Sequence, residues 1–224
     1  MQRMDARRTK AKASKRERLS RPMQATHPPA PAVPRQREHG GEGQVIMLIR
    51  HGEKPLPSRR AQGITANGRR DKRSLTVEGW LRAGALAELF APSRGDRPSA
   101  GLRRPDAVYG AGAQNGKSKR SIQTVKPLAD RVGVDVVDRF AAGEEAQLAQ
   151  DLADRPGATV VSWHHNSIHK IVKHLGEVTP APPRRWPHDR YDVVWKLTRV
   201  GQGWRFEQVP QMLMPGDQPE PIAG

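Results

Sequence analysis

The chain has 224 residues, 35% hydrophobic and 28% charged, and no cysteine. That allows one domain of ordinary size plus additional sequence, and it excludes disulfides, thiolate nucleophiles and Cys-ligated zinc. The net charge is +16. No apolar run of about 18 residues exists, so no membrane span is predicted. The basic N-terminus lacks the apolar stretch of a secretory signal, so a cytoplasmic location is expected.

Residues 1–38 carry eleven Lys/Arg against three acids, and Pro28, Pro29, Pro31 and Pro34 follow the basic block. This composition predicts a disordered tail over residues 1–42 and a folded domain over 43–224, irregular after about residue 210. Such a tail is either a solvated extension or a tether to nucleic acid. With only 4% aromatics and no recognised binding motif, nucleic-acid binding is not expected as the main function.

Order is predicted to begin at Val45-Ile46-Met47-Leu48-Ile49, five apolar residues in a row, as in a strand covered on both faces. Thr76 is a candidate N-cap for a helix with Trp80, Leu81, Gly84, Ala87 and Phe90 at helical spacing. Asp106 to Tyr109 reads as a short strand running into the glycine-rich loop Gly110 to Gly116. A second helix places Ile122, Val125, Leu128 and Val132 on one face. Val134 to Val137 reads as a strand, and Glu144 to Asp154 as a helix with Leu148 and Leu152 inward. Ala158 to Trp163 is a strand feeding a helix that bears Ile168, Ile171, Val172 and Leu175 and is closed by Gly176. Two last strands, Asp192 to Thr198 and Trp204 to Val209, flank a hairpin at Gly201-Gln202-Gly203. Strands alternating with helices predict an α/β fold, a three-layer sandwich with a mostly parallel central sheet and helices on both faces.

In such folds reactive residues gather at the carboxyl ends of the strands. Arg50-His51-Gly52 ends the first strand, His164-His165 ends the strand at Trp163, and Arg120 opens the helix after the glycine-rich loop. Two arginines and two or three histidines are thus predicted onto one edge of one sheet. The long loop from Lys54 to Arg73 adds seven further basic residues against Asp71 alone, placed to steer a substrate with more than one negative charge. His165 and His169 have the His-x-x-x-His spacing of a zinc helix. Asn166 stands where zinc proteases keep glutamate, and no third ligand is evident, so no metal is expected.

Val45 to Lys54 resembles the Arg-His-Gly signature of the histidine phosphatase superfamily, the phosphoglycerate mutase-like proteins. Leu75-Thr76-Val77-Glu78-Gly79-Trp80-Leu81-Arg82-Ala83 is similar to that family's helix start. Lys117 to Thr124 is similar to its second signature, in which an arginine precedes Gln-Thr by three positions. Ser162-Trp163-His164-His165 resembles its third, and the set covers roughly residues 45–209 in the family's order. The late histidine fits two patterns, one centred on His164 and one, Trp-x-His-x-x-Ile, on His165; we prefer His165. Glu53-Lys54-Pro55, Thr124 to Leu128 and Tyr191 to Trp195 look like the same branch as the second pattern.

The resemblance implies a phosphatase that works through a phosphohistidine on His51, without metal or other cofactor, on a small phosphorylated substrate. It assigns catalytic roles to His51, His165 and Glu144, and phosphate binding to Arg50, Arg120 and His164. Arginine suits that role because its planar fork binds phosphate bidentately and keeps its charge. Gly52 is expected to leave room for close approach to the phosphate. Glu145, Glu53 and Asp189 are further candidates for the proton donor. The same residues serve a mutase; hydrolysis is expected because the short connections leave little chain to close over a retained intermediate. The oligomeric state is not indicated.

Overall fold

The computed structural model describes residues 43–56, 61–99, 101–113 and 119–224. What was expected of the tail 1–42, of Arg59 and Arg60 in the basic loop, and of Lys117 and Ser118 lies outside the described residues.

The first strand, β1 (Val45–Arg50), is buried along its whole length. It lies between β4 (Ala158–Trp163), to which it is parallel, and β6 (Val193–Val200), to which it is antiparallel. Beyond β4 come β2 (Ala107–Gly110) and β3 (Val136–Val137), both parallel to it. Beyond β6 come β7 (Gly203–Pro210) and β5 (Val178–Thr179). The sheet order is β3-β2-β4-β1-β6-β7-β5. Of these strands, β6 runs against the rest, so the sheet is mostly parallel as predicted.

Alternate residues of β1 serve two cores. Val45, Met47 and Ile49 pack with Leu86, Ala87 and Phe90 of α1 (Val77–Phe90) and with Val125, Leu128 and Ala129 of α2 (Arg120–Val132). Ile46 and Leu48 pack with Leu148 and Leu152 of α3 (Glu145–Asp154) and with Ile168, Ile171 and Val172 of α4 (Ile168–His174). The fold is therefore α/β in three layers, a sheet covered by helices on both faces. No helix among the described residues is long and apolar enough to cross a membrane.

Several elements depart in detail from the prediction. The buried arc of α1 is Gly79, Arg82, Ala83, Leu86, Ala87 and Phe90, whereas Leu81 is exposed. The periodicity misplaced this face because a charged residue, Arg82, lies on it. Its guanidinium is paired with Glu53 and Asp217, each at 2.7 Å, and donates to Gln211 at 3.0 Å. The strand expected over Val134 to Val137 shortens to two residues, and β5 was not foreseen; two-residue edge strands carry too little pattern to be read. The two last strands extend to meet at the turn Gly201-Gln202, where Gly201 has φ +58°.

Residues 211–224 form neither helix nor strand, yet they are held down. Asp217 accepts from the backbone N–H groups of Leu213 and Met214, the Gln218 N–H donates to Asp192, and the Ile222 N–H donates to Gln208. This segment lies along the loop that precedes β6, which overhangs the carboxyl end of β1.

Candidate active site

The parallel pairing of β1 with β4 sets the centre of the site. Arg50 lies opposite Trp163, and the His51 N–H continues the ladder to the Trp163 carbonyl at 3.1 Å. The next residue on β4's side is His164, and its ring meets that of His51 edge-on, with centroids 5.6 Å apart. After His164 the chain turns at once into α4, the Ser167 and Ile168 N–H groups both donating to the His164 carbonyl. The charge of Lys54 acts on both histidines. The charge of Arg120 acts on His164, and those of Arg50 and Lys54 act on His165.

His51 is 3% exposed. Its Nδ1 lies 2.8 Å from the Gly52 carbonyl oxygen, so Nδ1 carries the proton and donates it there. The lone pair is then on Nε2. Burial, reinforced by the charges of Arg50, His164 and Arg120, holds its pKa well below the usual imidazole value. The ring is neutral at pH 7, with one nitrogen ready to attack an electrophile.

Arg50 is fully buried. Its Nη1 donates to three carbonyls of the overhanging loop, those of Pro187 (3.3 Å), His188 (2.6 Å) and Arg190 (3.0 Å). The guanidinium lies over the Tyr191 ring, 3.7 Å from its centroid. Nε and Nη2 find no hydrogen-bond partner. Leaving two buried donors of a cation unmet is costly.

Arg120 reaches the same site from the first turn of α2. Its Nε donates to the Ser74 carbonyl at 3.2 Å and its Nη2 to that of Lys72 at 2.5 Å. The helix itself is fastened to the end of β1 through Thr124. The Thr124 hydroxyl accepts from the Gly52 N–H at 2.8 Å and donates to the Arg120 carbonyl at 2.7 Å. The preceding residue, Gln123, accepts from the Leu75 N–H and donates to Ser74. Close packing of Gly110 against the Ile122 backbone, 3.0 Å from where a Cβ would stand, sets α2 directly on the end of β2.

Gly52 plays a different part from the one expected. A Cβ there would lie 3.0 Å from the Gly79 carbonyl oxygen, and one at Gly79 would lie 2.7 Å from the Glu53 carbonyl oxygen. The room is occupied by the start of α1, which seats against the chain leaving β1. Thr76 caps that helix as predicted, accepting from the Gly79 N–H at 3.2 Å.

The acids fall in distinct places. Glu144 precedes α3 and accepts from the Ala141 N–H at 2.7 Å, within its own turn. Its neighbour Glu145 is buried, accepts from the Trp163 indole and the Gly143 N–H, and its charge acts on His164. Burial opposes its ionisation, but those hydrogen bonds hold it below the ordinary glutamate value, so it is a carboxylate at neutral pH. Glu53 is engaged with Arg82. Asp189 is exposed on the overhanging loop.

Beside the site opens a cavity of about 440 Å³, bounded by Glu53, Lys54, His188, Asp189, Tyr191 and the segment Pro215 to Gln218. Exposed Arg69, Arg70, Lys72 and Arg73 lie on the turn that ends at Ser74, whose carbonyl and that of Lys72 hold Arg120. Sequence reading missed the carbonyl cage of Arg50, the stacked Tyr191 and the fastening by Thr124. Only the short spacing of Tyr191 from β6 pointed toward them.

No protein-family model matches the chain, and no curated protein matches it. Solved structures do show likenesses. One is SixA from Agrobacterium tumefaciens, named as a phosphohistidine phosphatase, with 17% identity over 74% of this chain and 96% of that chain and a TM-score of 0.44. A second is mycobacterial hydrolase 2, with 13% identity over 75% of this chain and 90% of that one and a TM-score of 0.41. A third is YhfR from Bacillus stearothermophilus, with 16% identity over 73% of this chain and 95% of that one and a TM-score of 0.40. The scores are low, and the functional reading rests on this chain's own residues.

The state of these histidines has a consequence for stability. His51, His164 and His165 all have pKa values lowered by burial first, His165 to about 4. In the unfolded chain each takes up a proton near pH 6.5 that the folded chain refuses. Stability is therefore fully present above that pH and is lost as pH falls below it. His51 alone accounts for about 1.4 kcal/mol per pH unit in that window. Urea midpoints are expected to drop between pH 7 and pH 5, less steeply for His51→Gln. A midpoint unchanged across that range contradicts the assignment of neutral, buried imidazoles.

Proposed function

We propose that the chain is a phosphomonoester hydrolase in which Nε2 of His51 is the nucleophile. The observation that carries this reading is the pairing of a buried neutral imidazole, its tautomer held by Gly52, with a buried Arg50 that keeps two donors unmet.

In the first step the His51 lone pair forms an N–P bond as the P–O bond to the leaving group breaks, and the leaving oxygen takes up a proton from solvent water. In the second, water attacks phosphorus, the N–P bond breaks, and inorganic phosphate is released with His51 restored. Arg50, Arg120 and His164 surround the phosphoryl oxygens and stabilise the charge of both transition states. His165 flanks Arg50, so the site accommodates roles for both late histidines. The cavity beside Tyr191 receives the rest of a small substrate.

Two experiments test this. On an aryl phosphate, His51→Ala is expected to lose roughly 10³-fold or more in kcat, the scale for removing a covalent nucleophile; rates equal to wild type refute the reading. The exposed arginines of the neighbouring turn are assigned to steering. The triple change of Arg69, Arg70 and Arg73 to Gln is expected to flatten the fall of kcat/KM with ionic strength. An unchanged salt dependence removes the steering role.

A further inference from the structure

Tyr191 has no part in the scheme above beyond carrying the ring on which Arg50 lies, yet its polar end is conspicuously unsatisfied. The residue is 9% exposed; the Lys54 N–H and the Arg50 guanidinium approach its oxygen as donors, but its hydroxyl hydrogen has no acceptor. A buried phenol ordinarily finds one. Its ring centroid is 6.5 Å from that of His51. The charges acting on it are those of Arg50 and Arg120, the two cations of the phosphoryl site, and of Glu53. Guanidiniums only donate, so they offer no acceptor for the hydroxyl hydrogen, and the Glu53 carboxylate is paired with Arg82.

The position is also rigid. Trp186 donates to the Arg190 carbonyl at 2.9 Å and packs against Trp195 of β6, with ring centroids 4.9 Å apart. Arg190 pairs with Asp192 at 2.7 Å, and its Nη2 donates to the Glu220 carbonyl at 2.8 Å. Tyr191 is thus flanked on both sides by residues that are themselves hydrogen-bonded. A donor held in place before the substrate arrives needs no reorganisation when charge develops.

We infer that Tyr191 is a further catalytic residue, whose hydroxyl donates a hydrogen bond to an oxygen of the phosphoryl group carried on His51. The inference rests on the phosphoryl-transfer reading of the site. Burial raises the phenol above its ordinary value, so it stays protonated and able to donate at neutral pH. The ring and the hydroxyl then do separate work, the ring supporting Arg50 and the hydroxyl contacting the substrate.

The separation makes the inference testable with two variants. Tyr191→Phe keeps the stacked ring and removes the hydroxyl; Tyr191→Leu removes both. Wild type, both variants and His51→Ala are compared on an aryl phosphate, together with inhibition by vanadate, a mimic of the phosphoryl group in transit. Expected is a loss of about 10²-fold in kcat for Tyr191→Phe, the scale for one oxyanion donor, with vanadate inhibition weakened and KM nearly unchanged. Tyr191→Leu should lose at least as much. If Tyr191→Phe matches wild type in kcat and vanadate affinity while Tyr191→Leu is impaired, the ring alone matters and the inference is overturned. In that case His51→Ala remains inactive and the phosphatase reading stands. If His51→Ala is as active as wild type, the phosphatase reading falls, and this inference with it.

Discussion

A guanidinium with no exposed surface sits at the end of the central strand, and much of the site is arranged around it. Arg50 is buried between a carbonyl cage and an aromatic ring, with no carboxylate hydrogen-bonded to it. Burial lowers its pKa, while the charges of Tyr191, Glu53 and Asp189 act to raise it. Carbonyls and a ring face stabilise the cation only partly. Nε and Nη2 are left without a hydrogen-bond partner. Burial first, with the charge of Arg50 added to it, keeps His51 neutral.

Most of the residues that make the sequence distinctive never face the site. Thr124 fastens α2 to the chain leaving β1, Gln123 fastens it to the residues before α1, and Gly52 and Gly79 let α1 seat against the chain leaving β1. Arg82 joins α1 to the loop after His51 and to the C-terminal segment through Glu53 and Asp217. These contacts set the distance between three elements to within the tolerance of hydrogen bonds. That is what brings Arg50, His51 and Arg120, from two different elements, around one small volume.

The parts of this arrangement legible in the sequence were those written in short-range pattern. β1 and β4 are continuous apolar runs and were placed within a residue of their observed ends. The positions of Arg50-His51, Arg120 and His164-His165 at strand and helix ends followed from those assignments. Arg82 was unreadable as a core residue, since its burial depends on carboxylates 29 and 135 positions away. Tyr191 could be placed only once β6 was known to pair antiparallel with β1, a long-range fact that brings the preceding loop over the site.

The claim on which the rest depends is that phosphorus becomes bonded to the imidazole of His51. It is tested most directly by mixing the full chain with an aryl phosphate, quenching in alkali within the first turnovers, and mapping phosphorylated peptides by mass spectrometry. A phosphoramidate stable to alkali and labile to acid on the peptide containing His51, absent from His51→Gln, is the result predicted. Turnover by the wild type with no phosphate on that peptide, or with the label on His164 or His165 instead, would contradict the account.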